Sequence, residues 1–173
     1  DDKVVPFDVA GVVSGNLTHG HRIHGPGPFT VGRASDYLDV AASKSCITVD
    51  PAARREVIVS GGNALAPKIG GTILWKESLL GEVQGLTEHP VAFMGGFDAG
   101  FLEIPREVLL TSMQSHQKSF GVEAPDGKLM PYFLTVLNIS PEDDEVVRKG
   151  WERVLRARLE DARFFWKTDL AAT

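Results

Sequence analysis

Residues 119–138 read SFGVEAPDGKLMPYFLTVLN, and this stretch decides the fold because two β-rich runs flank a short turn. In the turn, Pro125 fixes φ and Gly127 supplies the positive φ that a tight hairpin needs. Strands over about 119–124 and 132–138 are therefore predicted to pair antiparallel. Because helical and extended patterns alternate irregularly around this hairpin, the sequence predicts an α+β domain.

Shorter elements are predicted upstream of the hairpin. The strongest start signal is Asp50-Pro51, with Asp as the helix cap and Pro at the first helical position. Gly61-Gly62 is expected to end that helix, and the glycine-rich stretch 17–31 is expected to be a loop with a short strand. The predicted helices are 36–43 (capped by Ser35), 51–60, 78–83 and 105–115, and the predicted strands are 3–14, 46–49 and 91–94.

Downstream, residues 141–169 read PEDDEVVRKGWERVLRARLEDARFFWKTD and carry the longest helical signal in the chain. Ser140 is the predicted cap, Pro141 the predicted first helical residue, and four acidic residues then complement the helix macrodipole. Projected at 100° per residue, an apolar arc about 140° wide is predicted to face the core. It comprises Val147, Trp151, Val154, Leu155, Leu159, Ala162, Phe165 and Trp166.

The opposite side of this helix collects basic residues, which we call the basic ridge. Residues 148–167 carry a formal charge of +4 in a chain whose net charge is −5. A basic stripe on an acidic protein favours a polyanion or an acidic partner. The alternative is a solvated face with local pairs such as Asp144 with Arg148 and Glu152 with Arg156. The ridge consists of Lys149, Arg153, Arg156, Arg163 and Lys167, with Phe164 beside them.

One charged residue breaks the pattern of the apolar arc. Arg158 projects into it, where a guanidinium has to be paired or has to reach a partner. Asp161 lies three residues further on and is its nearest local acid. The sequence therefore predicts a largely buried structural ion pair between Arg158 and Asp161.

Length and composition limit the possible classes of protein. With 173 residues and 43% hydrophobic residues, the chain suits a single α+β domain over 1–173. Cys46 is the only cysteine, which excludes an internal disulfide and suggests a reducing, cytoplasmic compartment. No apolar run approaches the roughly 20 residues of a membrane span. Because the sequence starts with Asp1 rather than Met, we expect a piece of a longer protein.

Three histidines in a glycine-rich stretch raise the hypothesis of a metal site. His19, His21 and His24 form H-x-H-x-x-H, but no thiolate or acidic fourth ligand accompanies them in sequence, so no metal is predicted. Arg22 could instead contact a phosphate or support its own loop. No phosphate-binding loop motif and no nucleophile motif occurs in the sequence, so no catalytic residue is predicted.

Several motifs, taken in order, resemble the β subunit of bacterial heterotetrameric glycyl-tRNA synthetase. The resemblance covers nearly the whole chain, and its two most specific parts are the M-x-x-x-Q-K-x-F run at 113–120 and the R-V-L-x-A-R-L-x-D-A-x-F-F-W run at 153–166. The other parts are Gly20-His21-Arg22, Ser78-Leu79-Leu80, Glu88-His89-Pro90-Val91, Phe101-Leu102 with Pro105, and Asp126-Gly127-Lys128-Leu129 with Phe133.

The resemblance implies an internal fragment from the N-terminal half of that subunit. Its fold would be similar to the central editing-type domain of the phenylalanyl-tRNA synthetase β chain. The family joins glycine to tRNA as an α2β2 enzyme that uses ATP and Mg²⁺, with the adenylate-forming site in the α subunit. No cofactor is therefore expected in this chain. Its implied partners are the α subunit, tRNA(Gly) and the rest of the β subunit.

A tRNA-binding and assembly module is the function that these observations favour. Its expected contacts are His21, Arg22, Gln117, Lys118 and the basic ridge with Phe164. The alternative, by analogy of fold, is an editing hydrolase of mischarged tRNA. A glycine site can exclude every larger amino acid by sterics, which argues against a need for editing. A metal-dependent enzyme built on the three histidines is the third hypothesis.

Overall fold

The computed structural model describes residues 3–172 and confirms the α+β class. Two small hairpins precede a four-stranded antiparallel sheet that carries helices on both of its faces. The strands are β1 Asp8–Val9, β2 Val12–Val13, β3 Leu17–Thr18, β4 Phe29–Thr30, β5 Thr72–Ile73, β6 Val91–Gly96, β7 Phe120–Glu123 and β8 Leu129–Leu137. The helices are α1 Tyr37–Ser43, α2 Pro51–Leu65, α3 Glu77–Leu86, α4 Arg106–Gln117 and α5 Asp144–Ala171.

The predicted hairpin forms the centre of the sheet, whose strand order is β5-β7-β8-β6. Phe120 lies opposite Leu134, and the pairing is antiparallel as predicted. Gly127 has a φ of 82°, and the Asp126 carboxylate accepts a hydrogen bond from the Lys128 N–H at 3.1 Å. β8 begins three residues earlier than predicted, and a register shift between residues 121 and 123 accommodates the longer strand.

The sheet separates two hydrophobic cores because successive side chains of a strand point to opposite faces. Leu134 packs with Ile58 of α2 and Leu80 of α3 on one face. Its neighbour Phe133 packs with Met113 of α4 and with α5 residues on the other. β8 therefore joins the two layers of helices, and α5 belongs to the second layer.

α2 starts as predicted but continues further than predicted. The Asp50 side chain accepts a hydrogen bond from the Ala52 N–H at 2.9 Å. The helix then passes through Gly61 and Gly62 to Leu65, so the predicted end at residue 60 is wrong. A Cβ on Gly61 would lie only 2.8 Å from the Ala92 Cβ of β6. The two glycines thus let α2 approach the sheet closely, rather than forming a turn.

Two predicted strands are wrong. The stretch 3–14 is a tight hairpin in which Ala10 and Gly11 have φ of 52° and 83°, and its strands β1 and β2 are exposed. The stretch 46–49 joins no sheet among the described residues. The Arg54 guanidinium binds the Thr48 and Val49 carbonyls at 2.8 and 2.7 Å, which uses acceptors that a sheet would need.

α5 is 28 residues long and begins later than predicted. The Asp143 carboxylate caps it by accepting hydrogen bonds from the Glu145 and Val146 N–H groups at 2.9 and 3.1 Å. Ser140 and Pro141 precede the helix, so their predicted roles as cap and first residue are wrong. Within residues 3–172, no helix combines the length and the apolar character that crossing a membrane requires.

The remaining helices agree with the sequence predictions to within a few residues. α3 and α4 include the predicted segments at 78–83 and most of 105–115, and β6 includes the predicted strand at 91–94. α1 is also present, but Ser35 does not cap it, since its hydroxyl donates to the Asp36 side chain at 3.1 Å.

Candidate nucleic-acid and partner interface

α5 packs against the sheet and α4 through only part of its predicted apolar arc. Leu155 and Leu159 are fully buried, and Trp151 and Trp166 pack at the edge of the same core. Val154 and Phe165 were also predicted to be buried, but they are 50% and 64% exposed. The helix is therefore rotated about its axis so that one side of the apolar arc is left uncovered.

Arg158 lies on this uncovered side of the helix. It is exposed, and in the described part of the chain no salt bridge or hydrogen bond joins it to Asp161. The predicted buried ion pair is therefore wrong. The projection was correct in placing Arg158 among apolar residues, but those residues are themselves only partly covered. Its guanidinium therefore reaches solvent without having to pair.

The basic ridge lies on the outward side of α5, and acids neutralise part of it. Lys149 Nζ lies 3.5 Å from Glu145 Oε1 in an i,i+4 pair. Glu103 contacts both Arg163, at 3.8 Å, and Lys167, at 3.0 Å. The Arg163 guanidinium also lies over the Phe101 ring, 4.6 Å from its centroid. These contacts tie the C-terminal part of the ridge to the rest of the chain.

The centre of the ridge carries the cations without acidic partners. Arg153 and Arg156 are exposed and take part in no ion pair among the described residues. The predicted pair between Glu152 and Arg156 is absent because Glu152 accepts a hydrogen bond from the Gly96 N–H of β6 at 2.9 Å. Arg148 likewise binds Glu145, at 2.7 Å, and not Asp144.

Phe164 is placed as the hypothesis of an aromatic contact requires. Its side chain is 67% exposed. The neighbouring Phe165 ring meets it edge to face, with the ring centroids 5.6 Å apart. The two rings form a small exposed aromatic surface close to Arg163 and Lys167 in the helix.

The His21 segment has a structural role, since His21 is only 2% exposed. Its Nδ1 accepts hydrogen bonds from the backbone N–H groups of Ile23 and His24 at 3.3 and 3.1 Å. The Nε2–H therefore donates to the Asn138 carbonyl at 2.6 Å. His21 thus fastens the first loop to the end of β8, while Arg22 is exposed beside it.

Three imidazole rings pack together at this junction. The centroids of His21 and His24 are 4.9 Å apart, and those of His24 and His89 are 4.8 Å apart. His24 Nε2 accepts a hydrogen bond from the Ser140 N–H at 2.9 Å. Desolvation, with smaller contributions from His89 and His21, lowers the pKa of His24 below its ordinary value. This junction favours uncharged His24.

The histidines do not converge as metal ligands. His19 lies apart from the packed rings, and its Nδ1 is 3.2 Å from the Pro26 carbonyl. Among residues 3–172, no group of three or more His, Cys, Asp or Glu side chains is arranged to hold a metal ion. The geometry of the three packed rings is that of a structural contact.

Gln117 and Lys118 lie where α4 ends, and their side chains have different surroundings. Gln117 is only 7% exposed, so its side chain contributes mainly to the interior. Lys118 adopts the left-handed conformation, with a φ of 50°, and its Nζ lies 2.8 Å from Glu82 Oε1. Both residues line a groove in front of α5, together with Arg153 and Arg158 of the helix.

This groove is the feature that sequence reasoning missed. It has a volume of about 770 Å³ and lies between α5, the ends of α3 and α4, and β8. Val83 and Leu86 of α3 line one side, and Val147 and Val154 of α5 line the other. The sequence signal for this groove is that α5 carries more apolar residues than a single contact with the core would bury.

Comparison with known proteins identifies the family. A family described as the glycyl-tRNA synthetase beta subunit matches residues 1–173. The chain belongs to that family. The resemblance of its sequence motifs to the family is thereby confirmed.

Individual relatives agree with this assignment. The chain is 69% identical over 173 residues to the glycine–tRNA ligase beta subunit of Nitratidesulfovibrio vulgaris strain Miyazaki F, covering 100% of this chain and 25% of the relative. Identity is 65% over 172 residues with the beta subunit of Oleidesulfovibrio alaskensis, covering 99% and 25%. It is 48% over 170 residues with that of Lawsonia intracellularis, covering 98% and 24%. The chain thus spans about a quarter of the length of these curated relatives.

Proposed function

We propose that this chain is a non-catalytic, tRNA-binding and assembly region of a glycyl-tRNA synthetase β subunit. In this proposal it supports the ATP-dependent glycylation of tRNA(Gly) in the cytoplasm, and the α subunit carries out the chemistry with ATP and Mg²⁺. Family membership supports the assignment to the synthetase. The single observation that supports a tRNA contact is the exposed basic ridge of α5 on a chain of net negative charge.

The ridge has dimensions that suit a nucleic-acid backbone. Lys149 and Lys167 lie 18 positions apart in one helix, which corresponds to a length of about 27 Å. Lys and Arg side chains along such a line can neutralise successive phosphates, and the release of condensed counterions makes the affinity dependent on salt. The exposed Phe164 ring adds a surface on which a splayed base can stack.

The residues of the basic ridge are expected to contribute unequally to the affinity for tRNA. Arg163 and Lys167 share Glu103, so a phosphate would compete with that carboxylate. Arg153 and Arg156 have no acidic partner in the described part of the chain and meet a phosphate without losing an ion pair. The proposal therefore assigns the largest contributions to these two arginines, with Arg22 as a separate contact on the first loop.

A salt titration of tRNA(Gly) binding tests the proposal at Arg156. The affinity of the full-length β subunit, alone and with the α subunit, would be measured at several salt concentrations. Arg156→Ala should weaken binding and should reduce the slope of log affinity against log salt by about 0.7–0.9 for one lost phosphate contact. Lys68→Ala is the matched control, because Lys68 is also exposed but lies outside α5.

The same variant separates binding from folding. An exposed charge contributes only about 0–1 kcal/mol to stability, so the thermal unfolding temperature of Arg156→Ala should stay close to that of the unmodified subunit. If affinity and slope are unchanged in both assemblies, α5 does not contact tRNA, and a role in assembly alone is left.

A further inference from the structure

The groove in front of α5 is open although apolar side chains line it. Leu86 is 63% exposed and Val154 is 50% exposed, and both belong to its walls. Exposed apolar side chains that gather in one concave place mark a binding site more often than single exposed ones do. The volume of about 770 Å³ lies within the range of about 300–1,000 Å³ that ligand sites occupy.

Gly150 leaves room in this groove for the backbone of an occupant. It lies inside α5, where glycine costs about 1 kcal/mol relative to alanine. A Cβ at this position would meet nothing within 4 Å, so packing inside the described chain does not require glycine. Gly150 lines the groove. A glycine with open space at a concave surface allows another backbone to come close.

The charges around the groove define the chemistry of its occupant. Arg153 and Arg158 line it without an acidic partner in the described part of the chain. Lys118 also lines it and pairs with Glu82, and His116 is exposed on the same side. No aspartate or glutamate of residues 3–172 is among the lining residues. Electrostatic complementarity therefore favours a negatively charged occupant.

The apolar lining distinguishes a protein segment from a nucleic acid. Proteins hold single-stranded bases by stacking them on aromatic rings, including His, or on Arg guanidinium planes, whereas aliphatic side chains offer no such plane. The walls here are mainly aliphatic, from Val83, Leu86, Val147 and Val154. Of the two rings that line the groove, Trp151 packs against the core and only His116 is exposed. Aliphatic walls beside arginines suit a segment that combines leucine-like and acidic side chains.

The small size of the groove favours an occupant that is covalently linked to this chain. Stable complexes between separate proteins bury about 800 Å² on each partner, and a groove of this volume receives only one face of a short segment. The relatives carry about three quarters of their length outside the matched stretch. A segment of the same polypeptide has a high effective concentration at the groove, so modest contacts are sufficient.

We propose that the groove between α3 and α5 holds an acidic, amphipathic segment of the same β-subunit polypeptide from outside these 173 residues. Arg158 pairs with a carboxylate of that segment, and the backbone of the segment passes over Gly150. The uncovered apolar side of α5 is then buried in the whole subunit. Arg153 belongs to both the groove and the basic ridge, so this docking is tested at Arg158 and Gly150, which lie outside the ridge.

Photo-cross-linking in the full-length subunit tests this proposal. Benzoylphenylalanine would replace Val154, in the groove, or Val146, which is exposed on the same helix but does not line the groove. Irradiation of the α and β subunits together, with and without tRNA, should link position 154 to an acidic stretch of the same polypeptide beyond the 173 residues. Position 146 should give no link to that stretch.

Two second-site variants then test the roles of Arg158 and Gly150. Arg158→Glu should lower the yield of that cross-link by about threefold or more, because a like charge replaces a pair. Gly150→Leu should lower it similarly by filling the groove, and it favours the helix, so folding is preserved. Lys68→Glu should leave the yield unchanged. Any of three results would overturn the proposal. Position 154 could cross-link to the α subunit or to tRNA, or it could give no more cross-link than position 146. The third result is a cross-link yield that neither variant changes.

Discussion

Two glycines inside helices, Gly62 and Gly150, have opposite surroundings. A Cβ on Gly62 would lie 2.7 Å from Leu134 Cδ2 and 2.8 Å from two atoms of the Trp75 ring. Leu134 is fully buried in the core. A Cβ on Gly150 would meet nothing within 4 Å. The same substitution therefore has opposite consequences at the two positions.

We expect Gly62→Ala to lower the free energy of unfolding, because overpacking a core costs about 1–3 kcal/mol and exceeds the gain of about 1 kcal/mol in helix propensity. Gly150→Ala is the matched control and should raise the free energy of unfolding by up to about 1 kcal/mol. Urea denaturation of both variants would measure these changes. Equal shifts of the same sign would contradict the assignment of Gly62 to close packing.

At the scale of elements, the sequence predicts those turns and helix starts that depend only on neighbouring residues. The turn at Asp126 and Gly127 and the Asp50 cap of α2 each need only neighbouring residues. The continuation of α2 past Gly62 and the rotation of α5 depend on elements distant in sequence. Periodicity showed that α5 has an apolar side, but the position of α4 decides which part of it is covered. The groove and the exposure of Arg158 follow from that rotation.

The junction between the first loop and the end of β8 predicts a dependence of stability on pH. The pKa of His24 is lower in the folded chain than in the unfolded chain, where it is about 6.5. The unfolded chain therefore binds more protons in this window, and the free energy of unfolding should fall as the pH falls from about 6.5 through the folded pKa. The Ser140 N–H also donates a hydrogen bond to His24 Nε2 at 2.9 Å, and protonation of that nitrogen removes this hydrogen bond.

Denaturation of the unmodified chain and of His24→Asn at several pH values would measure this effect. His24→Asn should flatten the fall of stability between pH 6.5 and lower values, since it removes the group that takes up the proton. Ile23→Ser is a control in the same loop, because Ile23 is exposed and does not titrate. A slope that persists unchanged in His24→Asn would assign the pH dependence to other groups.

At the scale of the whole molecule, α5 packs on an α+β framework and presents two different outward sides. One side carries the basic ridge, centred on Arg153 and Arg156. The other carries the partly covered apolar residues, including Val154, with Arg158 among them. Both sides suit contacts with other molecules or segments. The sequence contains no phosphate-binding loop motif.

We therefore expect the purified chain, given ATP, Mg²⁺, glycine and tRNA(Gly), to show no glycine-dependent exchange of labelled pyrophosphate into ATP. Formation of an adenylate releases pyrophosphate, and its reversal is what the exchange measures. The complex of full-length α and β subunits is the positive control and should exchange label under the same conditions. Adding the chain to isolated α subunit would test whether it affects adenylate formation through assembly. Exchange by the chain alone, abolished by omitting glycine, would instead place an adenylate-forming site within these 173 residues. That result would contradict the proposed location of this site in the α subunit.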